Sequence, residues 1–213
     1  KYIHTLGAVF VLVGLSLTSM AQNNGLEVGD TAQISAIDQF DSIVSSQTIL
    51  DSADNYVLIF YRGSWCKYCR KHVSALSDSL SLILAQNTSV IVVTPETSES
   101  RERMESTSGA TFSIISDTTY RIMDAFGVSF KISKETVPKY RENTTRLTQK
   151  SNGNAEGILP IPATFIVGKN GLVKWKHVDM NYTIGPQLNR YYKNFKKVSE
   201  SHVLLESKQW ALC

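Results

Sequence analysis

The chain has 213 residues, 42% hydrophobic and 19% charged, with 22 Lys and Arg against 19 Asp and Glu and a formal net charge of +3. This composition is that of an ordinary folded protein, and with 3 Cys in all it excludes a disordered chain, a collagen-like repeat and a dense disulfide scaffold. Basic residues are scattered except at Lys193, Lys196 and Lys197, so no basic face for nucleic acid emerges.

In chain order, residues 6–20 come first and carry no charge. Their apolar heart, 6–17, is shorter than the roughly 20 residues that span a bilayer. The segment ends in Ser19-Met20-Ala21, with small residues where a signal peptidase cuts, and polar residues follow. It predicts a signal peptide over 1–21, cleaved after Ala21, and a periplasmic or secreted mature protein with no membrane span. A buried helix or retained anchor is the alternative. A folded domain over 22–198 and a tail over 199–213, ending in Cys213, complete the expected organisation.

Residues 26–37 and 42–52 read as an irregular lead-in with short extended pieces. Residues 56–61 (YVLIFY) form a continuous apolar run, the mark of a central strand covered on both faces. Arg62 to Trp65 turns the chain, and from Cys66 onward Val73, Leu76, Leu80, Ile83 and Leu84 follow helical spacing. A second buried strand over 89–94, a helix over 98–107 and a third strand over 112–116 follow. Asp117 then caps a helix over 118–126, which Gly127 closes in the left-handed conformation.

Residues 128–160 lack a clean period and predict an insertion with one helix near 138–147. Strands at 163–167 and 172–177 are joined through Asn170-Gly171, a hairpin signal. A last amphipathic helix opens at Pro186, with Leu188, Tyr191, Tyr192 and Phe195 on its apolar face. Alternating strands and helices predict an α/β sandwich.

The chemistry concentrates at Cys66 and Cys69. A cysteine at a helix N-terminus meets free N–H groups and the positive end of the macrodipole, which favour a thiolate. Arg62, Lys67, Arg70 and Lys71 sit at the wrong end for helix stability but suit an anionic sulfur. Cys66 is the expected nucleophile and Cys69, one turn on, the resolving thiol. That reading needs a Cys66 reachable from solvent. A purely structural disulfide is one alternative. A zinc site with His72 is another, but it lacks a fourth ligand. No metal is expected, and no cofactor beyond the redox-active Cys66–Cys69 disulfide; His72 and His177 receive no role.

The strand, the Trp65-Cys66-Lys67-Tyr68-Cys69 turn and its helix, with Pro160 to Phe165 opening a later strand, resemble the thioredoxin superfamily. The resemblance implies a three-layer α/β/α sandwich with a mixed central sheet, and a cis-proline, Pro162 after Ile161, facing the cysteine pair. Trp65, Arg62, Ile161 and Pro162 would then shape the surface where a partner docks. Val28-Gly29-Asp30, residues 60–69, 112–117, Phe126-Gly127-Val128 and residues 161–174 resemble the peroxiredoxin-like branch of the AhpC/TSA family, over about 26–198.

Members of that branch typically carry a proline where this chain has Lys67. Ile59 and Gly63 occupy the Pro and hydroxyl positions of the peroxiredoxin PxxxTxxC motif, and Phe60 stands where thioredoxins carry an acid. The resemblance implies an oxidoreductase acting on protein thiols and disulfides, which the N-terminal segment would make an exported one. A thiol-dependent peroxidase, using a hydroperoxide and a reducing partner, is the close alternative, and a non-catalytic redox-fold module the third.

Overall fold

The computed structural model describes residues 25–132, 141–153 and 156–181. The expected signal segment, the closing helix from Pro186 and the tail with Cys213 lie outside the described residues. Two short strands, β1 (Ser35–Ile37) and β2 (Ile43–Ser45), pair antiparallel and lead into helix α1 (Ser46–Ser52). This helix corrects the expected irregular lead-in. Ser45 accepts from the Thr48 N–H and the Thr48 hydroxyl accepts from the Ser45 N–H, each at 3.1 Å. Such a box usually carries Glu or Gln in the second position, so Thr48 hid the helix start.

The apolar run forms β3 (Asn55–Phe60), buried along its whole length. Helix α2 (Lys67–Asp78) follows, then α3 (Leu80–Leu84), β4 (Thr88–Thr94), α4 (Ser98–Ser108) and β5 (Ser113–Ser116). The expected single helix after Cys66 is interrupted at Ser79, whose N–H turns back to Leu76 O at 3.1 Å. Asp117 caps as expected, accepting from Ile122 N at 3.0 Å and Met123 N at 2.9 Å. Helix α5 (Arg121–Ala125) nevertheless starts later than expected, because residues 118–120 make a turn that leaves Tyr120 at φ 61. Gly127 closes it at φ 62, the left-handed position that glycine adopts without a Cβ penalty.

The expected insertion has more structure than one helix. Strands β6 (Ser129–Lys131) and β7 (Ile158–Pro160) pair antiparallel and bracket α6 (Arg141–Asn152), which runs past the expected end at 147. The hairpin forms as read, β8 (Ala163–Gly168) with β9 (Val173–Val178), through Gly171 at φ 72.

The main sheet has five strands in the order β5-β4-β3-β8-β9. β3 runs parallel to β4 and antiparallel to β8, so Val57 stands between Val90 and Ile166. Alternation along β3 divides the interior between two helical layers. Tyr56, Leu58 and Phe60 face α1 and α5 with Leu50, Met123 and Phe126. Val57 and Ile59 face α2, α3 and α4 with Val73, Leu76, Ile83 and Met104. This is the three-layer α/β/α sandwich with a mixed sheet. Each fully buried aliphatic or aromatic side chain contributes roughly 1.5–3 kcal/mol by leaving water. Phe60, Phe126 and Phe165 add tilted and edge-on ring contacts, with centroids 5.1 to 6.0 Å apart. Among the described residues no helix is long and apolar enough to cross a membrane.

Candidate active site

The site hangs from the end of β3. Tyr61 continues the parallel pairing by donating to Val93 O at 3.1 Å, and the chain then leaves the sheet through Arg62-Gly63-Ser64-Trp65. The turn closes where Cys66 N donates to Gly63 O at 3.0 Å. Cys66 is the N-cap of α2, and its Sγ takes the Cys69 N–H at 3.2 Å, a place more often filled by a Ser or Asp oxygen. Cys66 and Cys69 form a disulfide across this first turn, their Cα atoms 5.2 Å apart.

Of the four nearby cations, one reaches the sulfur. Arg62 Nη2 donates to Cys66 Sγ at 3.4 Å, and its guanidinium carbon lies 5.3 Å from the centre of the Trp65 ring. Arg70 instead donates to Ser64 O at 2.6 Å and so braces the turn. Lys67 and Lys71 point to solvent. The expectation that all four cations serve the sulfur is therefore corrected to Arg62 alone, because a helix turns side chains one residue apart in different directions.

The expected open sulfur is also corrected. Cys66 is 3% exposed and Cys69 7%, since both pack into the apolar layer formed by Val57, Ile59 and Val73. The pairing of Phe60 with Ala163 brings Ile161 and Pro162 alongside Tyr61 and Arg62. Ile161 is buried and donates to Val128 O at 2.7 Å, while Pro162 is half-buried and accepts from Asp179 N at 3.1 Å. The described chain has no cis peptide bond, which corrects the expected cis-proline. Both residues are held by the ladders on either side of them, and the backbone passes straight from β7 into β8. Of the four residues expected to shape a docking surface, Trp65 and Pro162 are half-buried, whereas Ile161 and Arg62 are buried.

Glu96 joins the site without having been expected there. This residue, 0% exposed just beyond β4, accepts from Ser64 N at 2.8 Å, from Ser64 Oγ at 2.9 Å and from Tyr61 OH at 3.3 Å. Burial pushes its carboxyl up to about 7, against the opposing pull of the Ser64 and Tyr61 hydrogen bonds. Burial first, and the Glu96 charge next, hold the Tyr61 hydroxyl well above its ordinary value. The available signal was an acid directly after the second buried strand, at the carboxyl end of a parallel pair where α/β proteins gather their sites. His72, on α2, is pushed down to about 4 by burial and then by His177, which stacks on Trp175 with centroids 6.3 Å apart.

A mixed sheet between two helical layers, with a cysteine pair closing the first turn of the helix after its central strand, defines a thiol-based redox protein of the peroxiredoxin kind. The chain belongs to the AhpC/TSA family, whose model matches residues 28–176. Peroxidoxin BcpB from Mycobacterium tuberculosis is similar in fold, with a TM-score of 0.62 at 14% identity over 81% of this chain and 98% of that one. PrxQ from Xylella fastidiosa, solved as a cysteine-to-serine mutant, gives a TM-score of 0.62 at 14% identity over 84% and 98%. AhpC from Enterococcus faecalis gives 0.60 at 16% identity over 84% and 94%. No curated protein matches the chain in sequence.

Proposed function

We propose that the protein is an exported thiol–disulfide oxidoreductase that cycles between the Cys66–Cys69 disulfide and the dithiol. In the reductive direction the Cys66 thiolate attacks one sulfur of a partner's disulfide. That S–S bond breaks, a mixed disulfide forms, and the departing partner sulfur takes a proton from solvent. Cys69, deprotonated, then attacks Cys66 Sγ, closing the internal disulfide and releasing the second partner thiol. The observation that carries this reading is the Cys66 sulfur itself, at a helix N-terminus with the Arg62 guanidinium and the Cys69 N–H both directed at it; because Cys66 is 3% exposed, the reading requires the turn to yield as a partner docks.

A second reading is favoured by the 3% exposure of Cys66, which suits a small oxidant better than a protein. A hydroperoxide would give the thiolate an oxygen, its O–O bond breaking to leave a sulfenic acid and an alcohol or water. Cys69 would condense with the sulfenic acid and expel water. Arg62 would then hold the peroxide oxygen, a task the peroxiredoxin hydroxyl position, Gly63 here, cannot perform.

Two assays on the reduced protein separate the readings: insulin disulfide reduction and hydrogen peroxide consumption, each with Cys66→Ser and Cys69→Ser controls. The first reading expects insulin reduction abolished by Cys66→Ser and a trapped mixed disulfide with Cys69→Ser. Rapid peroxide turnover dependent on Cys66, with no insulin reduction, replaces it with the second. Export belongs to the proposal on the strength of residues 6–21 alone. An N-terminus at Gln22 on the protein recovered outside the cytoplasm tests it.

A further inference from the structure

Glu96 is a carboxyl shut away from water behind the turn that carries the cysteines. Its hydrogen-bond donors among the described residues are Ser64 N and Ser64 Oγ, in that turn, and Tyr61 OH, just before it. Ser64 lies two residues before Cys66, so their Cα atoms are no more than about 7 Å apart. The groups facing Glu96 come from several elements. Tyr61 extends from β3, Ser64 belongs to the turn, and Thr94 Oγ1 accepts from the Glu96 N–H at 3.4 Å. On α4, the Arg103 charge acts on Glu96 and the Arg101 charge on Tyr61. On α2, Arg70 holds the Ser64 carbonyl. None of these cations bonds directly to the Glu96 carboxyl among the described contacts, whereas Arg62 is committed to the sulfur.

Two anions, a Cys66 thiolate and a Glu96 carboxylate, would thus share one poorly solvated turn when the pair is reduced. Like charges that share such a site disfavour each other, and the one with a cation and a helix N-terminus beside it is the sulfur, so the carboxylate is the one that gains a proton. We propose that Glu96 is a positioning residue of the redox pair, holding the Ser64 turn as a carboxylate while the disulfide is closed and taking up one of the reductant's protons when the disulfide opens and Cys66 is left as a thiolate. The proposal rests on the reading that Cys66 and Cys69 cycle. Two thiols of a reductant such as glutathione supply two electrons and two protons. The Cys66–Cys69 bond breaks, the reductant's disulfide forms, one of the two protons goes to Cys69 and the other to Glu96, and Cys66 remains a thiolate.

The test combines infrared difference spectra of reduction with glutathione titrations of the wild type and Glu96→Gln across pH. Gln is isosteric and keeps an acceptor for Ser64 N. Just above pH 7, where Glu96 is ionised in the disulfide form, reduction of the wild type gains a protonated-carboxyl band that Glu96→Gln lacks. There the ratio of wild-type to variant reduction constants falls by up to about tenfold per pH unit, or 30 mV, and below pH 7 it is flat. A wild type that gains no such band overturns the proposal, and this arm needs no variant to fold. Parallel titration curves overturn it also, while leaving the cycling pair intact. Absence of any midpoint in the wild type removes both.

Discussion

Arg62 Nη2 donates to Cys66 Sγ at 3.4 Å from a side chain that is 7% exposed and stacked beside Trp65. A buried cation four residues ahead of the nucleophile is thus fixed by an aromatic face on one side and a sulfur on the other. Its placement is a property of the turn: Arg62 is the first residue after the last sheet-paired position, Tyr61, and cannot swing to solvent without leaving Trp65.

Replacing Arg62 with Met keeps the stacking bulk and removes the charge. Iodoacetamide alkylation of Cys66 in the reduced protein should slow by about tenfold near neutrality, with Arg62→Lys between, since an opposite charge at this range changes ionisation by an order of magnitude or more. An alkylation rate equal to the wild type would show that Arg62 serves packing alone.

Gly63 lies against the Trp65 indole, where an added Cβ would come 2.8 Å from Cδ1 and 2.9 Å from Cε2. Gly63→Ala should therefore cost about 1–3 kcal/mol, the usual penalty of overpacking, and push the indole outward. Urea denaturation reads the first effect. Trp65 fluorescence in a Trp175→Phe, Trp210→Phe background reads the second as a red shift, and an unshifted spectrum with unchanged stability contradicts the contact.

Glu96 and His72 pull the pH dependence of stability in opposite directions. Glu96 is raised from 4.5 to about 7, so the folded state holds a proton the unfolded chain lacks, and stability falls as pH rises through that window. His72 is lowered from 6.5 to about 4, so the unfolded chain holds the extra proton, and stability rises over nearly the same range. Each effect amounts to about 3 kcal/mol at most. Denaturation curves from pH 4.5 to 6.5 should show Glu96→Gln gaining stability with pH and His72→Gln losing it, relative to a flatter wild type. Two variants with the same slope would remove this account.

Asp117 supplies the cap that α5 cannot find nearer, taking the Ile122 and Met123 N–H groups. Asp117→Ala should lose about 1–2 kcal/mol, and Asp117→Asn, which keeps an acceptor, a fraction of that. Thermal unfolding measures both. Equal losses would place the effect in the charge rather than in the hydrogen bonds.

The parts of the fold legible in the sequence are those where one kind of interaction dominates. The run from Tyr56 to Phe60 reads as a central strand because burial on both faces leaves no room for polar residues, and Asn170-Gly171 reads as a hairpin because few pairs fit that turn. Cys66 at a helix start was visible for the same reason. What stayed hidden depends on contacts between distant segments: Glu96 gains meaning only from Ser64, 32 residues earlier, and the β6–β7 ribbon only from its partner across an irregular stretch. The burial of Cys66 is also a tertiary fact, set by side chains from β3 and α2 packing over it.

β3 is flanked by a parallel neighbour on one side and an antiparallel one on the other, and the reactive turn begins at its very tip. The sulfur is consequently anchored to the central strand of the sheet rather than to its rim. Fraying, which starts at outer strands and short ribbons, would leave its geometry untouched until the whole sandwich comes apart. Reactivity should persist on heating up to the cooperative melt and vanish with it, instead of fading beforehand.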